Sequence, residues 1–127
     1  MPQFPMSDTR RRILERIPDY AVAISPATAR VKVTANGNLI ADTDKALLVE
    51  ETKHAPVFYL PREEVDMSAF VETDLSTYCP FKGHASYWSL GELENFVWSY
   101  EAPYPEVGGL KDHLSFYTDK VTIEISD

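Results

Sequence analysis

The sequence predicts a mainly β fold: a single-domain antiparallel β sandwich or partly open barrel, with a short N-terminal helix and one or two short helical turns. Three observations predict it. Short apolar runs recur along the chain with Pro, Gly, Asn or Asp between them. Several runs alternate with period two, as half-buried strands do. No strand-helix alternation and no glycine-rich strand-to-helix turn is present, which argues against Rossmann and P-loop architectures.

The elements follow in order. Residues 1–19 form an N-terminal segment. Ser7 or Asp8 can cap a short helix over about 8–17, with Ile13, Leu14 and Ile17 on its apolar side and Pro18 as its stop. The β-rich body spans 20–127. YAVAI (20–24) is a short apolar run ended by Ser25-Pro26. RVKVTA (30–35) places Val31 and Val33 on one face, and Asn36-Gly37 turns the chain into LIA (39–41). ALLVEE (46–51) and VFYL (57–60) are further strands. Pro61 and Glu63-Glu64 open a non-strand connection with one helical turn near 63–66. HASYWSL (84–90) and ENFVWSY (94–100) form a hairpin through Leu90-Gly91-Glu92. Residues 107–113 read as a short helix, and SFYTDKVTIEI (115–125) as a closing strand.

Composition bounds the function. A chain of 127 residues matches one domain that can bury a core without disulfides or metals. Its single cysteine permits no internal disulfide and fits a reducing compartment. The start of the chain has no signal-peptide pattern, and no apolar run is long enough to span a bilayer, so the reading is soluble and cytoplasmic. The net charge of −8 repels phosphate backbones and argues against nucleic acid as a partner, and without an apolar run of spanning length no membrane partner is expected. Arg10-Arg11-Arg12 reads as a solvated helix face.

The motifs align with a known family. VKVTANGNLIADT, then ALLVEET and PVFYLPREEV, then TYCPFKGHASYW, NFVWSYEAPYPEV and LSFYTDKV follow in that order. This resembles the bacterial domain-of-unknown-function family numbered 427, sometimes labelled nucleotidyltransferase-like, over about residues 20–123. The resemblance implies a compact β-rich domain that usually stands alone, and it implies no activity. Its signature falls here on Glu50, Pro56, Tyr59, Pro61, Arg62, Cys79, Pro80, Lys82, Gly83, Ala85, Tyr87, Trp98, Pro103, Phe116 and Tyr117.

Candidate chemistry centres on YCPFKG. Cys79 would act as a nucleophile if a cation lowered its pKa, and Lys82 and His84 are near in sequence. The competing reading is a buried, inert thiol. Lys82, bracketed by Pro80 and Gly83 in a tight turn, is a point charge suited to a carboxylate or phosphate. Arg62 follows Pro61 at a strand end, and the two cations form a basic spot if those ends meet. Otherwise Arg62 pairs with Glu63, Glu64 or Glu50. Glu50 and His54 are candidates for proton transfer. Histidines 54, 84 and 113 are well separated and give no zinc spacing, so no metal or other cofactor is called for. Tyr59, Tyr87 and Trp98 would wall a pocket. Nucleotidyl transfer needs clustered carboxylates; Asp42-Thr43-Asp44 supplies Asp-x-Asp without the Gly-Ser turn that accompanies it.

The leading expectation is a small-molecule-binding domain. Arg62 and Lys82 hold an anionic group, Tyr59, Tyr87 and Trp98 form the wall, and Cys79, Glu50 and His54 supply any catalysis. The rival from another class is a non-catalytic protein-interaction or homo-oligomerising module. Nucleotidyl transfer stands third. A concave pocket around Lys82 favours the first, and a flat aromatic patch with Lys82 at its rim favours the second.

Overall fold

The computed structural model describes residues 19–126, together with Arg12, Glu15 and Arg16. Those three N-terminal residues are helical, and the remainder of the expected 8–17 helix lies outside the described residues.

Ten strands follow: β1 (Val22–Pro26), β2 (Arg30–Ala35), β3 (Asn38–Thr43), β4 (Leu47–Glu51), β5 (Val57–Pro61), β6 (Val71–Cys79), β7 (Gly83–Leu90), β8 (Leu93–Ser99), β9 (His113–Phe116) and β10 (Thr122–Ser126). Short 3-10 turns cover Arg62–Glu64 and Pro105–Leu110. All strand pairs are antiparallel, in two open sheets. A seven-stranded sheet has the order β1-β4-β5-β9-β8-β7-β6, and a three-stranded sheet the order β10-β2-β3.

Local chemistry explains most boundaries. Asn36 and Gly37 both take positive φ, 51° and 81°, as a tight two-residue hairpin turn demands. Val31, Val33 and Ala35 are buried on alternate positions of β2. The expected closing strand is instead two strands in different sheets. The chain turns after Phe116, with the Lys120 N–H bonding the Tyr117 carbonyl, so β9 joins the large sheet and β10 the small one. The expected helix over 107–113 is a 3-10 turn that ends at Leu110, with Val107 in non-helical geometry. β6 is the element the sequence hides. It is an edge strand with mostly exposed residues, so it carries no alternating apolar signal.

Two cores form on opposite faces of the large sheet. On one face the small sheet packs Val31, Val33, Ala35, Ile40 and Ala41 against Leu60, Trp88, Phe96, Leu114 and Phe116. On the other, Val49, Tyr59, Ala85, Tyr87 and Tyr100 meet Tyr104, Val107 and Leu110. Strand alternation performs the sorting: Tyr59 and Leu60 part company on β5, and Tyr87 and Trp88 on β7. The second core is not filled, and its open part is the cavity described next.

Candidate functional site

A cavity of about 430 Å³ opens on the second core. The chain has 7 tyrosines, and all but Tyr104 line this cavity: Tyr20, Tyr59, Tyr78, Tyr87, Tyr100 and Tyr117. Trp98, Phe81, Pro80, Val49, Val57 and Ala55 complete the apolar wall, while Glu51, His54, Cys79 and Lys82 supply the charged or reactive groups.

The turn between β6 and β7 delivers Lys82. Cys79 pairs with Gly83 at the end of the hairpin, and the Lys82 N–H bonds the Cys79 carbonyl at 3.2 Å. Gly83 has φ +116°, and a Cβ there would stand 3.4 Å from the Ala102 carbonyl oxygen. The Tyr104 N–H in turn bonds the Lys82 carbonyl at 3.0 Å. The backbone is thus held on both sides, and the lysine side chain, only 8% exposed, points inward.

There Lys82 Nζ donates to Glu51 Oε1, and the Tyr20 hydroxyl donates to Glu51 Oε2. Lys82 Nζ also lies 3.9 Å from Cys79 Sγ. Tyr20 stacks on Phe81 with ring centroids 4.1 Å apart. His54 sits at the rim, its Nε2 4.0 Å from Glu51 Oε2.

The tyrosine hydroxyls differ in what they have left to offer. Tyr59 accepts a hydrogen bond from Trp98 Nε1 at 3.1 Å, so its own proton stays available. Tyr87 shares a hydrogen bond with Thr77 Oγ1 at 2.8 Å, and Tyr78 with Tyr104. Tyr100 is 8% exposed, yet its hydroxyl has no hydrogen-bond partner among the described residues. Burial raises the pKa of Tyr59 and Tyr100 well above the ordinary phenol value, with a smaller contribution from the neighbouring Glu51 charge. Burial and the Tyr87 hydroxyl raise Tyr117 to about 12. At neutral pH these phenols keep their protons and can donate.

The sequence-derived candidates divide on this geometry. Lys82, Cys79, His54, Tyr59, Tyr87 and Trp98 come together around the cavity. Arg62 does not line it: the basic spot with Lys82 is corrected. The Arg62 guanidinium lies 5.2 Å from the Trp88 ring, which packs on the other face of the sheet, and it pairs with Glu101 at 3.7 Å. Glu50 is the second correction. It is exposed, whereas Glu51, sharing the inward face with Val49, is the cavity carboxylate. The ALLVEE alternation contains that signal, since Val49 and Glu51 are two apart. Tyr20 and Tyr100 are also part of the site, and only the tertiary fold brings them in. Of Asp42-Thr43-Asp44, Asp42 is engaged by Arg30 Nε at 2.7 Å.

The model of a domain of unknown function, DUF427, matches residues 23–127. The chain belongs to the DUF427 family. The match covers β2 to β10 in full, β1 from its second residue, and every cavity residue except Tyr20, so this cavity is built almost wholly from the DUF427 domain itself. No curated protein matches the chain. Among the described residues no helix is long and apolar enough to cross a membrane.

Proposed function

We propose that this DUF427 domain binds a small molecule that carries one carboxylate-type anionic group on an apolar body. The observation that carries the reading is the set of unspent donors in an apolar cavity. Glu51 and the Cys79 sulfur take two of the three ammonium protons of Lys82, and the Tyr59 and Tyr100 hydroxyl protons have no acceptor among the described residues. Donors facing an apolar cavity gain from an acceptor, and a carboxylate offers about four lone-pair sites. Glu51 offsets the charge of Lys82, so the site suits a monoanion better than a multiply charged phosphate ester. Aromatic walls with a few convergent polar groups are the usual makeup of a ligand pocket.

A concave site with Lys82 buried at its wall supports ligand binding over the flat interaction patch. Catalysis has one feature in its favour: the Cys79 sulfur, a possible nucleophile, lines the cavity 3.9 Å from Lys82 Nζ.

The test is a thermal-shift and calorimetric screen of carboxylates, phosphates and neutral counterparts against the wild type and Tyr100→Phe. Carboxylates should bind, and Tyr100→Phe should weaken them about tenfold or more, the worth of a hydrogen bond to a charged group. Binding of phosphates alone, or affinity unchanged in Tyr100→Phe, would refute the proposal.

A further inference from the structure

A second cavity, of about 260 Å³, adjoins the first. The two share four wall residues, Ala55, Val57, Trp98 and Tyr117. Trp98 and Tyr117 pack with ring centroids 4.6 Å apart and form an aromatic ridge between the cavities. Tyr117 is 39% exposed, so this ridge reaches the surface.

The two cavities differ in chemistry. Beyond the ridge the walls are Pro56, Phe58, Phe116 and Ile123, with no charged side chain. The one buried hydroxyl there, that of Ser115, already donates to the Phe58 carbonyl at 2.8 Å. The second cavity therefore asks for nothing polar, while the first holds the unspent donors of Tyr59, Tyr100 and Lys82. A cavity with donors that opens over a ridge onto one without them complements an amphiphile.

Resting on the function proposed above, we infer that the ligand class is a straight-chain alkanoate of medium length. Its carboxylate sits among Tyr59, Tyr100 and Lys82, and its hydrocarbon chain crosses the Trp98–Tyr117 ridge into the second cavity. Each methylene that leaves water for the second cavity should add about 0.8 kcal/mol, or about fourfold in affinity.

The experiment is a calorimetric series of alkanoates from acetate to decanoate, each below its micelle concentration, with the alkanol of each length as the neutral control. The wild type should show affinity rising about fourfold per methylene once the chain is long enough to pass the ridge. Thr118 is exposed and lines only the second cavity. Thr118→Trp should leave the short alkanoates unchanged and abolish the gain for the long ones. Nuclear Overhauser contacts from the decanoate methyl to Ile123 and Phe116 provide a second readout on the wild type. Affinity independent of chain length, a gain that survives Thr118→Trp with no such contacts, or alkanols binding as well as alkanoates would each overturn the inference. The first two results leave the carboxylate site standing. Alkanols equal to alkanoates, or no binding at any length, would remove that reading as well.

Discussion

Replacing Glu51 by Gln tests the electrostatic heart of the site. Glu51 and Lys82 side chains are 13% and 8% exposed, so neither can turn to bulk water when its partner is lost. Gln keeps the size and the hydrogen-bonding reach, and removes only the charge. The Lys82 ammonium is then left in an apolar cavity without a counter-charge. Breaking a buried pair in this way costs about 3–5 kcal/mol. The unfolding entropy of about 2.1 cal/mol/K per residue makes the whole domain worth about 0.27 kcal/mol/K. The expected fall in Tm is therefore about 11–19 °C, read by calorimetry or by circular dichroism. The double variant Glu51→Leu/Lys82→Met removes both charges and should recover most of that loss, because hydrophobic replacement of a buried pair is close to neutral. A fall of less than about 3 °C for Glu51→Gln would show instead that water reaches Lys82 freely and that the pair is not a buried one.

Other perturbations follow from the same geometry. Gly83→Ala forces a side chain into φ +116° against the Ala102 carbonyl, and should cost about 1–3 kcal/mol of stability in chemical denaturation. Ser99 is fully buried and its hydroxyl has no partner among the described residues, so Ser99→Ala should leave stability unchanged or raise it by about 1 kcal/mol. Tyr59 and Tyr100 have pKa values above that of an unfolded tyrosine. The unfolded chain therefore releases these protons first as pH rises. Their contribution to stability is complete below about pH 10 and is lost above it. Tyrosinate absorbance and loss of structure should appear together in an alkaline titration.

The two-sheet β fold was legible because its central strands alternate. RVKVTA coincides with β2, and Asn36-Gly37 marks its turn. β6 was not, because an edge strand can be polar on both faces and still be held by backbone bonds to β7. The closing segment reads as one strand because Val121, Ile123 and Ile125 alternate and the aromatic Phe116-Tyr117 precedes them without an evident break. The turn at Tyr117–Lys120 that divides it lacks Gly and Pro, the residues that usually mark such breaks.

The site was legible where a local motif fixed it. Pro80 and Gly83 bracket Lys82, and that turn does carry the lysine to the cavity wall. Arg62 failed because its destination depends on which face of the sheet its strand end meets, a tertiary property. Glu50 failed by one residue, and in a strand one residue is the whole difference between core and solvent. Tyr20 and Tyr100 are 80 residues apart in the chain, and no local spacing links them.

The most direct test of the carboxylate site uses the tyrosines themselves. The protein is labelled with 3-fluorotyrosine, its 7 tyrosine fluorine resonances are assigned by single Tyr→Phe variants, and hexanoate is titrated in. Saturable shifts are expected at Tyr59 and Tyr100, with Tyr104, which lies outside the cavity, unmoved. Hexanoate that shifts no tyrosine, or that shifts Tyr104 and leaves Tyr59 and Tyr100 in place, would contradict the carboxylate site.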